Sequence, residues 1–147
     1  MHKTLVILTL AISLSACNEN EGELKPFTSD GCSAFPDGTL SERKLWRSCC
    51  VEHDFDYWIG GTEEEREASD HRLKACVESV GEPVVASMML AGVRAGGTPH
   101  SPAEFRWGYG WPTGRGYKSL TDDEREQLAE LIDDARALVE AEKQRDE

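Results

Sequence analysis

Positive charge is scarce in this chain. Sixteen lysines and arginines face twenty-eight aspartates and glutamates over 147 residues, a net charge of −12. That balance argues against nucleic acid or an anionic bilayer as the main electrostatic partner. No Cys-x-x-Cys pair occurs, which argues against a structural zinc site. No segment reads as a strand and no internal repeat recurs. The apolar run Leu5 to Ser15 is too short to span a bilayer. Left standing is an exported, all-α domain whose modest core gains from cross-links.

The N-terminus reads as a processing signal: Lys3 supplies charge, the apolar run follows, and small residues close it. Leu14-Ser15-Ala16-Cys17 resembles a bacterial lipobox. The resemblance implies a signal peptide over residues 1–16, a lipidated Cys17 and attachment to the membrane; an ordinary signal peptide would export the domain equally. Asn18 gives no clear inner-membrane retention signal, so the expected location is the envelope, at the outer membrane or periplasmic face. Residues 17–29 are expected to act as a tether, polar and acidic as far as about Pro26. A principal domain over 30–118 and an acidic amphipathic helix over 119–147 complete the division. Residues 121–147 carry four basic and eleven acidic side chains.

With Cys17 lipidated, Cys32, Cys49, Cys50 and Cys76 remain, an even set in an exported domain. Adjacent cysteines seldom bond each other, so Cys49 and Cys50 are expected to go separately to Cys32 and Cys76. A first helix is predicted from Ser41 to Trp58, ended by Gly60-Gly61. Thr62-Glu63-Glu64-Glu65 reads as a capping box opening a second helix that runs to about Val80. The short connection makes the two antiparallel neighbours. A third helix is expected from Pro83 to Ala95, and a last amphipathic one after the capping box at Thr121. Between them, Trp107, Tyr109, Trp111 and Tyr117 suit a membrane interface or a protein partner, or packing onto the helices.

Chemistry concentrates in Cys49-Cys50-Val51-Glu52-His53-Asp54. On a helix, Cys49 and His53 share one face, and Asp54 points about 100° away into a neighbouring volume. Extending the apolar stripe of the second helix (Leu73, Cys76, Val77, Val80) back one turn lands on Asp70. A carboxylate there needs a partner, and His53 is the candidate; a solvated Asp70, or one paired with Arg66 or Lys74, is the alternative. His53 can then act as general base, with Asp70 fixing its tautomer. Asp54 can hold Ca²⁺ with oxygens from the turn-rich loop Asp30 to Gly38.

Cys-Cys-x-x-His-Asp, followed by Tyr57 and by Asp70 six residues before Cys76, resembles the active-site helices of phospholipases A2. Asp30-Gly31-Cys32-Ser33 is similar to the metal-binding loop of the small prokaryotic members. The resemblance covers roughly Asp30 to Val77. It implies His53 as base, Asp70 as its partner and Tyr57 as the phenol supporting Asp70. It also implies Ca²⁺ on Asp54 with the loop residues Asp30, Gly31, Ser33 and Phe35, Asp37 being a further possible contributor, and disulfides Cys32–Cys50 and Cys49–Cys76. Three departures stand out. Asp56 and Ser69 replace two cysteines that bond each other in larger members. The loop lacks the family's usual glycines, and no substrate-channel helix precedes Asp30. The activity implied is a calcium-dependent phospholipase A2-like ester hydrolase acting on phospholipid or lysophospholipid. The alternatives are a non-catalytic envelope lipoprotein using the same scaffold, with docking through Trp107, Tyr109 and Trp111, and a calcium-binding structural module.

Overall fold

A computed structural model describes residues 22–145. The described chain is all-helical: α1 Arg47–Ile59, α2 Glu63–Ser79, α3 Pro83–Gly96 and α4 Asp122–Gln144, with no strand among the described residues. Cys17 and the signal segment lie outside these residues.

Local signals in the sequence set most helix ends. Thr62 and Thr121 each accept the amide of the residue three positions on, while Glu65 and Glu124 return the bond to the cap amide at 2.7 and 2.9 Å. Both capping boxes therefore satisfy amide groups that a helix start leaves open. Pro83 opens α3, where its missing N–H costs nothing. Gly60 ends α1 at φ +68°, and a Cβ there would lie 2.7 Å from the Gly108 Cα. Conformation and close backbone approach both require glycine at that position.

The start of α1 differs from expectation. Residues 41–46 form turns, and the helix begins at Arg47. Competing hydrogen bonds explain the delay. Glu42 donates its amide to Thr39 Oγ1, and Trp46 gives its amide to the Asp37 carbonyl and its indole N–H to the Pro36 carbonyl. The chain thus folds back onto residues 36–37 before any helical ladder can form.

The expected tether is also shorter. Leu24 and Phe27 are buried in one core cluster with Val51, Trp58, Trp111, Ala135 and Val139. Residues 24–29 therefore belong to the folded body, and α4 shares the core instead of standing apart. Trp107 and Trp111 are 2% and 1% exposed, and their indole N–H groups donate to the Gly61 and Ile59 carbonyls. These two rings offer no surface to a partner, and Tyr109 is half-buried. A second cluster gathers Trp46, Leu73, Val77, Ala86 and Met89 around the bonded cysteines.

The disulfides are Cys32–Cys50 and Cys49–Cys76. Helices α1 and α2 meet at three further levels: His53 with Asp70, Tyr57 with Asp70 and Arg66, and Asp56 with Ser69 and Arg72. The last level falls where the resembled family carries a further bridge. Here Ser69 donates to Asp56 Oδ2 at 2.8 Å and Arg72 reaches the same oxygen at 2.7 Å, so hydrogen bonds join the two positions. Ser69 is fully buried, so Ser69→Ala is expected to cost about 1 kcal/mol in urea unfolding. Arg72→Ala, losing an exposed pair, should cost well under 1 kcal/mol.

Candidate active site

Helix α1 carries His53, Asp54 and Tyr57 within little more than one turn, and all three are buried. Asp70, on α2, is wholly buried and every partner it has is a donor. Its Oδ1 lies 2.9 Å from His53 Nε2 and accepts the Tyr57 hydroxyl at 2.7 Å. Its Oδ2 accepts Arg94 Nη1 at 3.1 Å and stands 3.9 Å from Arg66 Nε. Burial alone would raise the Asp70 carboxyl. The bonds from His53, Tyr57 and Arg94 outweigh it and hold the group below its ordinary range. Asp70 is therefore an anion at neutral pH. Its charge places the imidazole proton on Nε2, leaving Nδ1 of His53 free to take a proton.

The phenol of Tyr57 is fixed from three sides. It donates to Asp70, accepts Arg66 Nε at 3.1 Å, and its ring stacks edge-on against Trp107 at 5.0 Å. Burial, then the Asp70 charge, pushes its ionisation far up, so it stays a neutral donor. Gly97 abuts it closely: a Cβ there would sit 2.6 Å from the hydroxyl oxygen. Arg66 in turn spans to the Tyr117 hydroxyl and to the Val93 and Arg94 carbonyls, which ties the end of α3 to the pair α1–α2.

Asp54 faces the Cys32 loop. Its carboxylate is 5% exposed and accepts Ser29 Oγ at 2.7 Å. Burial pushes its pKa well up; the Ser29 bond and the Arg47 charge oppose this, and the Asp30 and Asp37 charges add to the rise. In the loop, Asp30 takes the Ser33 hydroxyl at 2.8 Å and Asp37 takes the Cys32 amide at 2.9 Å. Gly31 at φ +81° leaves room for Asp37, since a Cβ would come 2.5 Å from Asp37 Oδ1. Ser33 also has a positive φ, +53°. Phe35 donates its amide to the Cys32 carbonyl and packs on the second core cluster. No group of three or more His, Cys, Asp or Glu side chains gathers closely enough to hold a metal among the described residues.

The raised Asp54 has a consequence for stability without calcium. Above the ordinary carboxyl value of 3.8 the unfolded chain loses this proton while the folded chain keeps it, so stability falls as pH rises through the window above 3.8. In chelator near neutral pH, Asp54→Asn is expected to melt higher than the wild type. The difference should shrink as the pH falls toward 3.8.

His53, Asp54 and Tyr57 line a cleft of about 590 Å³, together with the Asp30–Phe35 loop and with Leu73, Met88, Met89, Val93 and Phe105. The structure thus brings His53, Tyr57 and Asp70 together and sets Asp54 beside the Asp30–Phe35 loop. Sequence reasoning missed Arg94, Ser29 and Phe105. Arg94 left one signal, a lone cation in the apolar run Val84 to Ala95. Ser29 left none, because its bond to Asp54 depends on how residues 24–29 pack.

A buried imidazole with one nitrogen fixed by a carboxylate and the other without a hydrogen-bond partner among the described residues, at an apolar cleft, can move a proton between a water and an ester oxygen. The chain matches no protein-family model, and no curated protein or solved structure is similar to it at a significant level.

Proposed function

We propose that the protein is a phospholipase A2-like, calcium-dependent carboxylic ester hydrolase of the cell envelope. The observation that carries this reading is the His53–Asp70–Tyr57 network, with His53 and Tyr57 lining a largely apolar cleft and Asp54 one residue along. Helices α1 and α2 act as the antiparallel pair of the resembled family, with the two disulfides fastening the Cys32 loop and α2 to α1.

The cleft takes an acyl chain between Met88, Met89 and Phe105, which supplies the acyl-binding surface that the missing substrate-channel helix leaves to be found. His53 Nδ1 accepts a proton from a water as its oxygen bonds to the ester carbonyl carbon. Asp70 stabilises the imidazolium through Nε2, and His53 returns the proton to the alcohol oxygen as the ester C–O bond breaks. Tyr57, Arg66 and Arg94 keep Asp70 charged and in place throughout.

The donors beside the cleft suit a hard cation. Asp54 is a buried carboxyl with no cation at bonding distance among the described residues, Arg47 acting on it only from further away, and the adjoining loop offers oxygen ligands. Asp54, the Asp30 side chain and the carbonyls of Gly31, Ser33 and Phe35 are the residues that would hold Ca²⁺, with water completing the shell. Bound there, the ion supplies charge stabilisation for an oxyanion and a contact for a phosphate oxygen.

Lipidation of Cys17 completes the proposal, by holding the domain where its substrate lies. Leu24 is already in the core, so at full extension the linking chain spans only about 25 Å. That raises the effective concentration of substrate at an acidic domain which anionic lipid attracts poorly.

The test is fatty-acid release with Ca²⁺ from diacyl phospholipid vesicles and from ether-linked analogues lacking the ester. Release from the ester lipids alone supports the reading, and release from neither removes it.

A further inference from the structure

A second cleft, of about 640 Å³, shares Ala103 and Glu104 with the first. Its wall contains an unusual cation. Arg106 is 7% exposed, and its two terminal nitrogens donate to the carbonyls of Trp107, Gly108 and Trp111 and to Thr113 Oγ1. No carboxylate pairs with it among the described residues, although acids outnumber bases almost two to one in the chain. Burial lowers its pKa with nothing negative opposing. A buried charge balanced only by carbonyl dipoles is costly, and an anion would relieve it.

Two further facts point into the cleft. Arg106 Nε has no partner among the described residues, yet Arg115 Nη1 is the only partnerless side-chain nitrogen or oxygen that is fully buried there. The Arg106 Nε–H is therefore unpaired among the described residues and not fully enclosed, on a residue that lines the cleft. The exposed Lys25, which makes no ion pair among the described residues, lines the same cleft. Glu104 is the one acid on its lining, which also includes Thr113 and the half-buried Tyr109.

We propose that this second cleft is an oxyanion site in which Lys25 and Arg106 hold a phosphate group. A guanidinium with its Nε–H unpaired and an ammonium, both lining one cleft, suit the charge of a phosphate group. The same chemistry is met in a free phosphate and in the phosphodiester of a lipid headgroup. The site stands independently of the esterase reading, since it uses neither His53 nor Asp54.

Calorimetric titration of the full chain in chelator, against sodium chloride at matched ionic strength, tests it. Inorganic phosphate and the headgroup diester glycerophosphoglycerol are the two probes. Saturable heat with either probe, weakened about tenfold or more by Lys25→Glu, is the expected result. Tighter binding of the diester identifies a headgroup, and equal or tighter binding of inorganic phosphate identifies a free anion; both support the site. Heat no different from that of chloride, or a Lys25→Glu titration identical to the wild type, overturns it. Lys25 is exposed and its side chain makes no hydrogen bond among the described residues, so this variant decides the matter even if Arg106→Gln fails to fold.

Discussion

His53→Gln is expected to lower turnover of ester lipid about a thousandfold while leaving the melting temperature close to that of the wild type. The two halves of this expectation have separate causes. Glutamine has no nitrogen basic enough to take a proton from water near neutral pH, so the chemical step is lost and KM changes little. The fold survives because Asp70 keeps Tyr57, Arg94 and Arg66 when His53 leaves, and no buried carboxylate is stranded. The glutamine amide can also donate toward Asp70. Asp70→Asn is the less clean experiment. It would set two guanidinium groups, one of them on the buried Arg66, against a neutral amide, and losses of stability and activity would mix. Steady-state kinetics beside thermal melting of both variants separates the cases.

The second large effect is on stability. Replacing Cys49 and Cys76 together by serine should cost about 3 kcal/mol and lower the melting temperature by on the order of 10 °C. The bond closes a sequence separation of 27 residues, and its removal frees the unfolded chain accordingly. Because Cys49 lies one turn from His53 on the same helix face, activity should fall before unfolding is complete. The Cys32–Cys50 bond closes a shorter loop, a sequence separation of 18, so its removal should cost somewhat less in stability. Its larger effect is expected on calcium affinity, since that bond fastens the Asp30–Phe35 loop beside Asp54. Denaturant unfolding and calcium titration of the two double variants distinguish the roles.

Much of this was legible from spacing. Capping boxes at Thr62 and Thr121, Pro83 and Gly60 mark helix ends because each acts through its own backbone or its nearest neighbours. The position of Asp70 on an apolar stripe pointed to a buried partner, and the structure supplies His53 together with the arginine that the alternative named. Long-range packing left no such trace. The turn over residues 41–46 depends on Trp46 reaching back to Pro36 and Asp37. The burial of Leu24 and Phe27 depends on α4 arriving from more than a hundred residues away, where Gln127 accepts the Leu24 amide. For Trp107 and Trp111 the sequence allowed packing onto the helices as well as an interface, because indole is amphipathic, and the structure shows the packing. The carbonyls of Gly61 and Ile59 that absorb their N–H groups could not be foreseen from composition.

The central claim is that His53 is a general base at a calcium-assisted ester site. The most direct measurement is fatty-acid release from phospholipid vesicles in four samples: wild type and His53→Gln, each with Ca²⁺ and with chelator. Release confined to the wild type with Ca²⁺ is the predicted result, whereas equal background in all four samples would contradict it.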